Sequence, residues 1–346
     1  MKKIIGKCLM LLLCFAMVGY VADAQAKKKK PTRTVKKRTT AKKTTNSRTK
    51  AKISPAAKAD TAVVIAQPKI DSLPIPNVKK SLRPNDAIER NLVTERTPLA
   101  YEHLREDDAV YRQKVWREID TREKMNLPFR YAANDNNGNQ RFISILFKAI
   151  QDGPDNGGVT VFNQVDDRFT TPMTVAEVAK VVSGGSVSVP IYDSLGNVTG
   201  YKETVAEVNL DSFYKFHIKE EVIFDKESSR LFWRILGIAP VKNVITSQGL
   251  DLGETELFWV YYPDMRPIFA KYEVYNSKNY GARMSWEELF ESRMFYGRII
   301  KSTLDNPFDQ YLFQQQGLKD SRILQLLEGE NIKDKIFNYE QNLWSY

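Results

Sequence analysis

The chain reads as an α+β domain in which a mixed, mainly antiparallel sheet packs with several helices behind a disordered N-terminal arm. Three observations lead there. Val187–Tyr192 and Val198–Val208 alternate around Gly196-Asn197, the pattern of a hairpin. Thr174 with Glu177, and Ser285 with Glu288, stand at capping-box spacing, the signature of helix starts. Leu257–Tyr262 is apolar on both strand faces, as a strand covered on both sides must be.

Taken in order, Lys2, Lys3 and Lys7 precede an apolar run, Cys8 to Val21, and Ala22-Asp23-Ala24 fits a small-x-small cleavage site. Residues 1–24 therefore read as an export signal. Cys8 and Cys14 are the only cysteines, so the mature chain holds without disulfides. Leu13, not a small residue, precedes Cys14, which argues against lipidation there. Residues 25–58 form a Lys/Arg-rich tail with almost nothing apolar, a composition that cannot repay the entropy of ordering. Residues 59–98, with Pro68, Pro74, Pro76, Pro84 and Pro98, read as an extended linker. The globular part then spans 99–346.

Within it, Arg105–Met125 is expected to be a polar helix with a thin apolar stripe of Val110, Val115, Trp116 and Ile119, stopped at Leu127-Pro128-Phe129. Asn134–Asn139 is a turn. Phe142, Ile143, Leu146, Phe147 and Ile150 make an apolar helix ending at Gly153-Pro154. Val159–Phe162 is a short strand. A helix follows Thr174, with Met173 and Val178 as its hydrophobic staple, and ends at Gly184-Gly185. Leu231, Trp233 and Ile235 share one strand face, while Arg234 on the other needs water or a carboxylate such as Glu220, Glu221 or Asp225. Pro263 and Pro267 fence a turn. The helix after Ser285 carries a Met284–Leu289 staple and buries Trp286, Leu289, Phe290 and Met294. Asn331–Trp344 is a last helix, with Ile332, Ile336, Tyr339 and Leu343 on one stripe.

Net charge is +10, unevenly placed: residues 1–58 carry 17 Lys and Arg against one acid, Asp23, so the remainder sums to −6. The basic tail suits peptidoglycan carboxylates or anionic lipid. Nucleic acid is not an expected partner, because the tail lacks aromatics for base stacking and the signal removes the chain from the cytoplasm.

Chemistry is sparse. Only His103 and His217 exist, and neither has Cys, His or Asp at ligand spacing, so no metal site is expected. There is no Gly-x-Ser-x-Gly elbow and no phosphate loop. Glu220-Glu221 and Glu287-Glu288 are adjacent acids, read as structural, although a glycosidase-like pair of carboxylates stays open. Asn134–Asn139 lacks the spaced acids and closing Glu of a calcium loop. From Leu257 to Tyr296, 12 of 40 residues are aromatic, against 11% in the whole chain. Their strand and then helix periodicity reads as core, with Trp233, Trp259 and Phe290 as anchors. The Pro263–Pro267 turn and Tyr272–Ala282 are the candidate partner contacts. No residue is assigned to catalysis, to a cofactor or to a metal.

Several blocks together resemble the gliding-motility and type IX secretion family GldN/PorN. They are Leu127–Tyr131, Arg234–Pro240, Phe258–Pro267, Tyr272–Asn276, Met284–Phe295 and Ile336–Trp344, within roughly residues 85–346. The resemblance implies a non-enzymatic, cofactor-free periplasmic subunit at the inner face of the outer membrane. It implies self-association in a ring, a GldK/PorK-like outer-membrane lipoprotein as partner, and contact with a GldM/PorM-like periplasmic domain of the motor. The tail lies outside the matching blocks. The other readings are a cell-envelope enzyme, such as a peptidoglycan hydrolase with paired carboxylates, and a tether to an anionic surface.

Overall fold

The computed structural model describes residues 73, 75, 76, 78–83, 87 and 95–344, apart from 136, 137, 166, 184, 185, 193–197, 206, 207, 246–250 and 277–282. The expected signal, basic tail, Gly184-Gly185 stop and Gly196-Asn197 turn lie outside the described residues, as does Tyr272–Ala282 beyond Asn276.

One eight-stranded sheet organises the chain. Numbered along the sequence, its strands run β12 (Arg298–Ser302), β1 (Ala109–Asp120), β8 (Lys215–Asp225), β9 (Arg230–Ile245), β11 (Phe258–Tyr261), β4 (Val161–Asn163) and β5 (Pro172–Met173). β10 (Asp251–Glu256) also pairs with β9. These pairings are antiparallel. β2 (Asn134–Asp135) with β3 (Gly138–Asn139), and β6 (Ser186–Tyr192) with β7 (Val198–Val205), form separate hairpins, the second where the alternation placed it.

The first correction concerns β1. Arg105–Met125 is not a helix: residues 109–120 form a strand paired on both sides, with β8 and β12. Its charges, read as a helix surface, are met across the sheet instead. Arg117 Nε donates to Glu220 Oε2 at 2.8 Å, Arg298 Nη2 donates to Glu118 Oε1 at 2.5 Å, and Arg112 pairs with Glu221. Leu127-Pro128-Phe129 sits inside a 3-10 helix, Lys124–Arg130, that buries Phe129.

Side chains directly opposite one another across an antiparallel pair share a face. Ile119, Phe216, Ile218, Ile235, Ile238, Phe258 and Val260 form the inner face of the main core. Against it pack α1 (Phe142–Asp152), α2 (Val175–Ser183), α3 (Tyr262–Phe269) and α4 (Trp286–Glu291). α1 ends at Gly153, whose φ of 67° suits glycine. Thr174 caps α2, with Glu177 N donating to Thr174 Oγ1 at 3.3 Å and Thr174 N to Glu177 Oε2 at 2.7 Å. α4 has the full Ser285–Glu288 capping box. The aromatic stretch is indeed core: Trp259, Tyr262, Trp286 and Phe290 are all among the largest fully buried side chains. Leu73, within the linker reading, lies in this same core, and Ile75 packs against it.

Three other expectations change. Pro263–Pro267 is no turn but the body of α3, in which Met265 and Arg266 are buried. Pro263 sits in the first turn, where its missing N–H has no partner to lose, and Pro267 forfeits one bond. Met294 lies beyond the end of α4 and is exposed. The last helix, α5 (Arg322–Trp344), starts nine residues before Asn331. It covers a second cluster, Val115, Val222 and Ile299, with Ile332 and Ile336. Among the described residues no helix is long and apolar enough to cross a membrane.

Candidate functional site

The two faces of the sheet carry different chemistry. On the outer face a row of side chains crosses the strands: Arg298 of β12, Glu118 of β1, His217 of β8 and Ala239 of β9 are in register. The small Ala239 leaves room for Glu256 of β10 to reach His217. Nδ1 of His217 lies 2.7 Å from Glu256 Oε1, and Nε2 lies 3.7 Å from Glu118 Oε2. Glu256 also accepts from Tyr311 Oη at 3.2 Å and from Trp259 Nε1 at 3.0 Å. Burial alone disfavours the imidazolium, but the two carboxylates outweigh it, and the His217 pKa is raised. Burial likewise opposes ionisation of Glu118, yet His217, Lys215 and Arg298 bring its pKa down to about 2. The row therefore sets an imidazole between two carboxylates that favour its charged form. The hydrogen-bond partner of His217 is the Glu256 carboxylate, and the Glu118 carboxylate stands farther off on its other side.

The next row contains Lys301, Trp116, Lys219 and Gly237. Asp167, from the segment between β4 and β5, accepts from Trp116 Nε1 at 2.8 Å, and its carbonyl accepts from Lys219 Nζ at 2.7 Å. Burial lowers the Lys219 pKa, and Asp167 partly opposes that shift. Among the described residues no three His, Cys, Asp or Glu side chains are grouped as metal ligands.

The inner face holds a different arrangement, between its two apolar clusters. Arg117 lies between Val115 and Ile119 on β1, and Glu220 lies between Ile218 and Val222 on β8. Glu220 is fully buried and accepts from Arg117 and from Arg293, whose Nη2 lies 2.9 and 3.1 Å from its two oxygens. Both guanidiniums also face the Trp233 ring, at 5.1 and 4.7 Å from its centroid. Arg117, Arg293 and Trp233 line a cleft of about 530 Å³ walled by α5, with Tyr296, Ile336 and Phe337 on its sides and Glu330, Lys333, Asp334 and Glu340 along the helix. Trp233, expected as a core anchor, is thus a partly exposed wall of a cleft.

Beside the cleft, α5 turns apolar residues to solvent. Ile323 is 70% exposed and Leu327 is 55% exposed, and Leu324, Leu326 and Phe337 are also exposed. Phe308, 80% exposed, and Phe313 precede the helix. Apolar exposure of this kind on one element is the mark of an interaction surface. The candidate Tyr272–Ala282 contributes an exposed stack, Tyr275 on Tyr131, with centroids 4.0 Å apart.

The adjacent acids hold structural partners. Glu220 and Glu221 point to opposite faces, toward Arg117 and Arg112. Glu287 accepts from Arg266 Nη2 at 2.7 Å, and Glu288 caps α4. Arg234 finds an aromatic partner that the sequence reading did not consider, its guanidinium lying 4.0 Å from the Tyr101 ring centroid. The His217 clamp was also missed. Its carboxylates stand 99 residues before and 39 residues after the histidine, and no local pattern links them.

The family model described as gliding motility associated protein GldN matches residues 104–345. No curated protein matches the chain.

Proposed function

The chain belongs to the GldN family of gliding motility associated proteins, and from that premise we propose that it is a non-enzymatic structural subunit of the type IX secretion and gliding apparatus. In this reading it forms a periplasmic ring with copies of itself and with a GldK/PorK-like outer-membrane lipoprotein. The ring lies at the inner face of the outer membrane and engages a GldM/PorM-like periplasmic domain of the motor. Residues 1–24 direct export, and the basic tail, 25–58, contacts peptidoglycan or anionic lipid. Neither a cofactor nor nucleic acid takes part.

The observation that carries the assembly role is the apolar surface of α5. Ile323, Leu324, Leu326 and Leu327 face water on consecutive turns, next to an aromatic-walled cleft. Burying such residues at ~25 cal/mol per Å² is what stabilises a permanent interface. The charged clusters, by contrast, are satisfied within the chain, which suits a rigid platform.

The test is co-purification with the GldK-like lipoprotein at near-physiological salt. The wild-type chain is expected to co-elute in a high-mass complex. Ile323→Glu with Leu327→Glu is expected to remain folded and to lose most of that complex. A wild-type chain that stays monomeric and unbound contradicts the reading.

A further inference from the structure

The cleft beside α5 is charged on both sides, with opposite signs. On the sheet side, Arg117 and Arg293 share one carboxylate, that of Glu220, which is fully buried and not part of the lining. Arg117 Nη1 also donates to the Gly297 carbonyl at 3.3 Å. Arg117 Nη2, Arg293 Nε and Arg293 Nη1 have no hydrogen-bond partner among the described residues. Two guanidiniums on one carboxylate leave this side with a positive charge in excess. Only 10% of the Arg117 side chain is exposed, so its guanidinium is fixed in place.

On the helix side, Glu330 pairs with Lys333 at 3.2 Å. Asp334 and Glu340 have no partner among the described residues, so this side is negative in excess. Trp233, Tyr296 and Phe337 add aromatic surface to the same lining, and Tyr296 and Phe337 are exposed.

Whatever fills the cleft takes water from both charged sides. A charge stripped of water and left unpaired is costly, so the occupant must return a countercharge to each side. A phosphate would meet the arginines and be repelled by Asp334 and Glu340. A lone cation would do the reverse, and the Trp233 ring it would seek already faces both guanidiniums, at 5.1 and 4.7 Å from its centroid. An apolar molecule would answer neither side. A zwitterion with an apolar body answers both and also covers the aromatic surface. A carboxylate matches the planar donor fork of a guanidinium. The volume of about 530 Å³ is that of a small-molecule site.

We propose that the cleft binds a short peptide in its zwitterionic form, with the terminal carboxylate on Arg117 and Arg293 and the terminal ammonium on Asp334 and Glu340. The site is additional to the assembly role and does not depend on it.

The test uses one tripeptide, alanyl-leucyl-alanine, in three forms: free, N-acetylated and C-amidated. Each is titrated into the full chain at near-physiological salt. The readout is the NMR signal of the Trp233 indole N–H, assigned among the five tryptophans by its loss in Trp233→Phe. The free peptide is expected to shift that signal with saturation. Each capped form removes one charge and should bind about tenfold or more weakly. Asp334→Asn with Glu340→Gln alters the solvent-facing side of α5 and should leave the melting temperature unchanged. It is expected to bring the free peptide down to the affinity of the N-acetylated form. No shift of the Trp233 signal at millimolar free peptide overturns the proposal. So does a capped form that binds as tightly as the free one, or a double variant that binds the free peptide like wild type. None of these results touches the assembly reading, which co-purification decides.

Discussion

Arg293 grips both carboxylate oxygens of Glu220, at 2.9 and 3.1 Å, from a backbone in left-handed conformation. Its φ is 54°, and it follows the C-cap Ser292 of α4 at a position where glycine is usual. Arg293 N donates to Phe290 O and Met294 N to Leu289 O, so the helix end is closed around a residue that costs ~1–2 kcal/mol to hold there. The buried Glu220 offsets that cost, because a buried carboxylate stripped of a partner is strongly destabilising. Arg293→Ala therefore loses both ways: an ion pair is broken and the strain stays. Arg293→Gly breaks the same pair but relieves the backbone. In urea unfolding both variants should be destabilised by roughly 2 kcal/mol or more, with glycine ~1 kcal/mol less damaging than alanine. Equal values for the two would show that the left-handed position carries no strain.

Trp259 and Trp233, paired as core anchors in the sequence reading, should separate on truncation. Trp259 is fully buried between β9 and β4, and its Nε1 donates to Glu256 Oε2 at 3.0 Å. Trp259→Ala should cost ~3–5 kcal/mol. Trp233 is partly exposed at the cleft and holds two guanidiniums near its ring. Its replacement by Ala forfeits less area and contacts of ~1 kcal/mol each, for a total of ~2 kcal/mol. Chemical denaturation of the two variants reads the difference, and a Trp233→Ala cost equal to that of Trp259→Ala would return Trp233 to the core.

Stability should fall on both sides of a pH plateau set by the His217 clamp. The His217 pKa is raised above its ordinary value of 6.5. Its contribution is therefore fully present below about pH 6.5 and is lost as pH rises through the folded value. Glu118 is depressed from 4.5 to about 2, so its contribution is present above about 4.5 and fades as pH falls toward 2. The melting temperature should then be level between those limits as far as these two groups decide it. His217→Gln should flatten the alkaline decline. Because His103 and His217 are the only histidines, an NMR pH titration of the imidazole protons reads His217 directly. A folded-state midpoint below 6.5 would contradict the clamp.

What the sequence made legible was local. The capping boxes of α2 and α4, the apolar periodicity of α1 and the β6–β7 hairpin are each encoded within one short stretch of neighbouring residues. β1 was not legible, because its arginines and glutamates read as a helix surface until Glu220, Glu221 and Arg298 from neighbouring strands are set against them. α3 hid behind two prolines, Pro263 in its first turn and Pro267 in its interior, where it forfeits one helix bond. The cleft needs α5 folded back over β12, and Arg96 finds its carboxylate, Glu288, 192 residues away. Contacts at such separations leave no periodic trace in one sequence.

Gly237 is the point where the outer face depends on a missing methyl group. A Cβ there would lie 2.6 Å from Phe169 Cζ, 2.9 Å from Phe169 Cε1 and 3.2 Å from Trp259 Cε3. Trp259 is fixed by both neighbouring strands, so Phe169 has to yield. Phe169 is itself held at φ 60° and packs edge-on against Phe162 and Tyr261. Two residues earlier, Asp167 holds Trp116 and Lys219. Displacing the ring therefore pulls on the segment that keeps a buried lysine paired. Gly237→Ala should cost ~1–3 kcal/mol as an overpacking substitution. Once Phe169→Ala has emptied the space, the same added methyl should cost close to nothing. The double-mutant cycle is thus expected to show a coupling of ~1 kcal/mol or more. Strict additivity would mean that the strand bends to take up the methyl group and that Phe169 is not what requires glycine at 237.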